Sequence, residues 1–198
     1  QTCALPIFIP AYRDEILSDT VMVYGNVDEV ELVLNGKTIR RQTADKGPDS
    51  DYIPVPNGGN GKNLHFPPFT FYGVPKERGV LKAVGYHQGK KVAEYTVKTP
   101  GVPERLDITY FESGKPATKN DLLIVYVRML DKQGVLCPVN GIPVELSVQG
   151  GEIVGPTSYP LEAGVASFLV RTGEISKINI NATGKGFSTR KSLKVGKE

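Results

Sequence analysis

Glu29 and Glu31, in Val27-Asp28-Glu29-Val30-Glu31-Leu32, are the first residues to test for acid–base chemistry. Two carboxylates can cleave a bond when they stand about 5 Å apart across it and the surroundings keep one of them protonated. Here Val30, Leu32 and Leu34 alternate with Glu29, Glu31 and Val33. A strand sends successive side chains to opposite faces, so both glutamates fall on the wet side. With Lys37 and Arg40 expected nearby, the pattern favours a solvated surface over a catalytic dyad.

Other candidates are weaker. Asp45, Asp49 and Asp51 could bring calcium oxygens from one loop, but their spacing lacks the glycine and closing glutamate of a recognised loop site. His65 and His87, the two histidines, have no Cys, His or carboxylate at ligand spacing, so zinc is unsupported and His87 reads as an exposed turn residue. Cys3 and Cys137 fall in different predicted domains, which argues against a bridge and leaves Cys137 as a small core residue. No nucleophile elbow, phosphate loop or paired-cysteine motif occurs, and no cofactor is implied. Asn181-Ala182-Thr183 fits a glycan-acceptor pattern, but inside a predicted strand.

The elements that must position these residues are strands. The 198 residues are 39% hydrophobic and 23% charged, an ordinary globular balance. Net charge is only +3 with the lysines dispersed, so the electrostatic footprint of a nucleic-acid partner is missing. No apolar run approaches the roughly 18 residues of a membrane helix, which leaves no membrane insertion to expect, and no signal-peptide pattern opens the chain. Because the sequence starts at Gln1 rather than Met, it reads as part of something longer, with any export signal upstream. Its 22 glycines and 15 prolines punctuate short apolar runs, the mark of an all-β chain.

Val21 to Arg41 reads as a β-meander. Asn35-Gly36 supplies the positive φ values of a two-residue type I′ turn, with a second, weaker turn expected at Gly25-Asn26. The polar segment 43–62 reads as a long loop, and Pro67-Pro68 belongs at a strand edge or crossover. Residues 79–86 and 90–99 form another predicted hairpin across His87-Gln88-Gly89. Thr99-Pro100-Gly101-Val102-Pro103 reads as a short, stiff linker. Beyond it the strand rhythm restarts: Leu123, Val125, Val127 and Met129 share one face, as do Val144, Leu146 and Val148, then Ala166, Phe168 and Val170, then Ile178, Ile180 and Ala182. About seven short strands at this spacing argue an immunoglobulin-like sandwich. The expected architecture is two tandem immunoglobulin-like β-sandwich domains, 1–100 and 104–198, joined by the Pro/Gly linker.

Tyr24 to Leu32 with Leu34-Asn35-Gly36-Lys37, then Pro67 to Phe71, Gly79 to Tyr86, Val92-Ala93-Glu94 and Thr99-Pro100-Gly101, closely resemble the immunoglobulin-like module that follows the catalytic barrel in bacterial glycoside hydrolases of family 2, the β-galactosidase type. The second half resembles the sandwich that often follows in the same enzymes, through 127–134, Pro138, 144–151, 164–166 and 180–182; its rhythm is also similar to that of invasin-type surface proteins. The family usually carries a tryptophan before the meander, where this chain has Ala11-Tyr12-Arg13 and no Trp at all. The resemblance implies a non-catalytic accessory region of a periplasmic or extracellular hydrolase, partnered by a barrel in the same polypeptide that bears the two catalytic glutamates. An adhesin-like stalk and an independent carbohydrate-binding module are the alternatives. For the last, sugar rings stack on exposed aromatics. Phe66, Phe69, Phe71, Tyr52 and Tyr72 cluster near the long loop, and Tyr52 and Tyr72 are the preferred carbohydrate contacts because a hydroxyl tolerates water; the phenylalanines read rather as core plugs.

Overall fold

The computed structural model describes residues 19–45, 67–111 and 116–196. The chain is all-β and divides into two compact units, 1–99 and 100–198.

The first unit contains β1 (Val21–Val23), β2 (Glu29–Leu34), β3 (Lys37–Thr43), β4 (Phe69–Phe71), β5 (Val80–His87) and β6 (Lys90–Lys98). A four-stranded antiparallel sheet runs β3-β2-β5-β6, and a two-stranded ladder pairs β1 with β4. Strand β2 forms for the reason its alternation gives: Val30, Leu32 and Leu34 are buried while Glu29, Glu31 and Val33 are half-buried on the other side. Each such side chain contributes about 1.5–3 kcal/mol when fully removed from water. They meet Val21, Val23, Phe69, Phe71, Leu81 and Ala83 in a single cluster. Pro67-Pro68 lie just before β4, where their missing donors cost nothing to the ladder.

Three details depart from the sequence reading. Strand β1 pairs not with β2 but with β4, Val21 opposite Phe71 and Val23 opposite Phe69, so Gly25-Asn26 is a crossing between layers and not a meander turn. That route sets the apolar side of β1 against the apolar side of β2, where a hairpin would have placed them edge to edge. The pairing of β2 with β3 shifts register beside Leu32, so Arg41, not Arg40, lies opposite Glu31. Strict alternation along β5 also fails at Val84, which shares the outward side with Lys82 yet is buried between its cross-strand neighbours Glu31 and Glu94.

Asn35 and Gly36 adopt φ of 51° and 81°, as the type I′ turn requires. The Asn35 side chain also reaches across the chain: its amide nitrogen donates to the Arg78 carbonyl at 3.1 Å, and its oxygen accepts from the Val80 N–H at 2.8 Å. Gly79 lies under this clasp at φ 140°, where an added Cβ would come 1.9 Å from Asn35 Oδ1.

The second unit contains β7 (Arg105–Tyr110), β8 (Leu122–Leu130), β9 (Pro143–Gln149), β10 (Gly151–Ile153), β11 (Ser158–Pro160), β12 (Val165–Thr172), β13 (Lys177–Gly184) and β14 (Phe187–Lys194). Two four-stranded antiparallel sheets, β10-β12-β8-β7 and β11-β9-β13-β14, enclose one core that includes Val125, Val127, Val144, Phe168, Ile178 and Ile180. This is a β-sandwich. Asp131, 2% exposed, organises the turn after β8. Its carboxylate accepts the N–H of Gly101 at 2.7 Å and of Val135 at 2.8 Å. These backbone donors, Gly101 foremost, hold the Asp131 carboxyl below the usual carboxylate range.

Replacing Gly79 by alanine should destabilise the first unit by about 2–4 kcal/mol, because it combines a positive φ with a collision against Asn35. Gly89→Ala, at φ 74° with open space around the new methyl, should cost only about 1 kcal/mol. Urea denaturation of the two variants checks the difference; equal costs would contradict the role given to the Asn35 clasp.

Candidate functional site

The outer face of the β3-β2-β5-β6 sheet gathers the carboxylates that the sequence nominated. Tyr86 on β5 lies opposite Glu29 on β2, and Glu31 lies opposite Arg41 on β3. Arg41 makes an ion pair with Glu29 at 2.6 Å and lays its guanidinium 3.8 Å from the centre of the Tyr86 ring. The Tyr86 hydroxyl donates to Glu31 at 2.7 Å, and the Thr38 hydroxyl donates to the other Glu31 oxygen at 2.7 Å. Alongside, Glu94 joins Lys82 at 3.0 Å and Lys91 at 2.6 Å. The tyrosine and arginine were not foreseen as partners of the glutamates. Only the register of β5 against β2 brings Tyr86 to Glu31, 55 positions away in sequence.

The electrostatics of this face run against acid catalysis. A general acid at neutral pH needs a carboxyl whose proton is held by burial or by a neighbouring negative charge. Hydrogen bonds from Tyr86 and Thr38 instead hold Glu31 below the usual range, and Lys91 and Lys82 do the same to Glu94. The Gln88 N–H, with His87, lowers Asp28. Among the described residues, every carboxylate with a displaced acidity is displaced downward. These groups are ionised anions with fixed donors. They can bind or bridge, but they have no proton to deliver.

The remaining candidates scatter. His87 is exposed, as expected, but ends β5 and does not lie in the turn itself, and its Nδ1 lies 3.0 Å from Asp28. The sequence hid that carboxylate because the two are 59 positions apart. Asp45 receives both the N–H and the hydroxyl of Thr70, which ties it to β4. Among the described residues no group of three His, Cys, Asp or Glu is placed to hold a metal. Cys137 is a buried free thiol directed at the Gly101 and Val135 carbonyls; burial first, then the Asp131 charge, raise its pKa. Asn181, within β13, donates to Ser147 at 3.4 Å. Phe69 and Phe71 are wholly buried core residues. Tyr72 follows β4 and is half-buried. Tyr52, Phe66, His65, Asp49, Asp51, Cys3 and residues 11–13 lie outside the described residues, so of the two expected carbohydrate contacts only Tyr72 is described.

Comparison with known proteins locates this architecture. A family model described as a domain of unknown function (DUF4982) matches residues 18–93. A β-galactosidase of Thermoanaerobacter pseudethanolicus is 30% identical over 176 residues, covering 83% of this chain and 22% of the relative. A β-galactosidase sequence of Rhizobium radiobacter is 30% identical over 129 residues, 64% of this chain and 92% of the relative. Among solved structures, a β-glucuronidase from glycoside hydrolase family 2 superposes on 98% of this chain and 20% of its own with a TM-score of 0.75 at 22% identity, a likeness of fold. The chain thus spans about a fifth of the Thermoanaerobacter relative and of the solved enzyme.

The Glu31–Tyr86 bond should leave a signature in stability against pH. Glu31 is lowered from its ordinary 4.5, so its share is present above that value and is lost as pH falls through the depressed folded value. Tyr86 is raised from 10.0, chiefly because it donates to Glu31, so its share is present below 10.0 and is lost as pH rises through the elevated folded value. The urea-midpoint gap between the parent sequence and Tyr86→Phe should therefore be widest near neutrality and close above pH 10.0. A gap constant across the alkaline range would mean the hydrogen bond contributes nothing.

Proposed function

This chain belongs to glycoside hydrolase family 2, and we propose that it is the non-catalytic C-terminal accessory region of a β-galactosidase-like enzyme, outside the barrel that performs hydrolysis. Its work is mechanical: two β units support the catalytic domain, the rim of its cleft or an oligomer contact during carbohydrate degradation, in the periplasm or outside the cell. The observation that carries this reading is the state of the carboxylates. Two carboxylates acting on a glycosidic bond divide the labour between a protonated acid and an ionised partner. The described acidic groups with displaced acidity are held in the ionised form by hydroxyl, amide and lysine donors. The Thermoanaerobacter relative, whose name declares β-galactosidase activity, extends well beyond the shared region, which leaves room for a separate catalytic domain.

The test is kinetic. Residues 1–198 alone should not hydrolyse nitrophenyl β-galactoside, and Glu29→Gln and Glu31→Gln should leave that background unchanged, whereas the complete polypeptide should turn the substrate over. Turnover by residues 1–198 that disappears in either glutamine variant would overturn the reading.

A further inference from the structure

The two outer faces of the second unit are built differently. An antiparallel sheet with one side in water normally alternates apolar-in with polar-out. The β11-β9-β13-β14 sheet obeys: Ser147, Gln149, Asn179, Asn181, Thr183 and Ser192 face outward, opposite the buried Ile178, Ile180 and Ala182. The β10-β12-β8-β7 sheet does not. One rank crossing its outer face is apolar from edge to edge. The Val154 N–H bonds to Leu169, Leu169 pairs with Ile124, and the Phe111 N–H bonds to Ile124. Leu122 extends the rank along β8. Phe111 is 61% exposed, Leu122 51%, Ile124 44% and Val154 37%. The charges that flank the rank are paired within the face, Arg171 with Glu152 and Arg128 with Asp107. The inward residues Val125 and Val170 fill the core independently of this rank, so its apolar character is not needed to hold the sandwich together.

We propose that this rank, Val154–Leu169–Ile124–Phe111 with Leu122, is the surface on which the catalytic domain of the same polypeptide docks. The proposal rests on the reading above that the chain is an accessory part of a longer hydrolase. Size argues for a tethered partner. At roughly 200 Å² per fully exposed large side chain, the four exposed residues present on the order of 400 Å² of apolar surface, which is what the largest, often functional, patch of a monomer amounts to. It is about half the roughly 800 Å² per partner that a free-standing complex buries. A domain in the same chain is held at an effective concentration of about millimolar, so a contact of this size suffices for it. Length argues the same way, since the Thermoanaerobacter relative matches this chain over only 22% of its length. With the flanking charges already ion-paired within the face, the complementary surface is apolar and carries no unpaired charge at its centre.

The experiment uses the complete polypeptide. Ile124→Cys and, as a control on the opposite sheet, Ser147→Cys are labelled with a maleimide under native conditions and read peptide by peptide by mass spectrometry. Docking predicts that position 124 reacts about tenfold more slowly than position 147 at every protein concentration. Equal rates would overturn the proposal. Protection that disappears on dilution, together with a dimer-to-monomer change in light scattering, would also overturn it by assigning the face to a second copy. In case the cysteine itself weakens the contact, Phe111→Cys is labelled with and without Leu122→Asp; the aspartate should accelerate it about tenfold, and an unchanged rate counts against docking. Nitrophenyl galactoside turnover by the same preparations reports separately on the hydrolase reading. Protection without turnover keeps a docked domain of the same polypeptide but removes its identification as a galactoside hydrolase; turnover without protection keeps the hydrolase reading and overturns docking on this face.

Discussion

The first unit rests on one contact: Val21, Val23, Phe69 and Phe71 of the short β1–β4 ladder, brought against Val30, Leu32, Leu34 and Leu81 of the larger sheet. Two short strands cannot hold a layer by themselves, since an isolated pair is marginal in water. Their two wholly buried phenylalanines make the layer stable by filling the core, and truncating a side chain of this kind typically costs about 3–5 kcal/mol. The second unit repeats the solution with two full sheets, Val125, Val127 and Phe168 meeting Val144, Ile178 and Ile180. In both units period-two burial settles which half of the side chains is committed to the core. The other half is left for whatever surfaces the molecule needs.

Those surfaces have separate characters. The outer face of the first unit is a lattice of anions each held by a donor: Glu29 by Arg41, Glu31 by Tyr86 and Thr38, Glu94 by Lys82 and Lys91. Exposed pairs like these contribute little stability one at a time, but they hold the carboxylates in place. Within the second unit one outer face is polar, its amides and hydroxyls interspersed with Glu145, Lys177 and Arg190, and the other carries an apolar rank. The proposed accessory role would use such a division, with wet faces that need no partner and a dry one for docking.

Much of the fold was legible because burial on one side of a strand writes itself into sequence at period two. Val30, Leu32 and Leu34, then Val125, Val127 and Met129, then Ile178, Ile180 and Ala182 all announced their strands. Asn35-Gly36 announced its turn because few other dipeptides tolerate two positive φ values. Edge strands were harder to read. Strands β10 and β11 are three residues each, and β14 buries only Leu193, so none carries an alternating run. The partner of β1 was also hidden, since alternation gives the face of a strand but not its neighbour. For the same reason the sequence pointed to Arg40 where the bulge beside Leu32 installs Arg41, and it missed the Asp28–His87 and Glu31–Tyr86 bonds, which depend on register between distant segments. One signal was present and passed over. Leu122 to Val127 is apolar at every position, and only the inward half of that run was assigned a place.

The central claim is that these sandwiches lend structure to a catalytic neighbour in the same polypeptide. Sequencing the complete reading frame that encodes residues 1–198 tests it most directly. The account predicts a β/α barrel with two glutamates at strand ends, preceding Gln1 in the same frame. A frame made only of further sandwich modules leading to a surface anchor would contradict it.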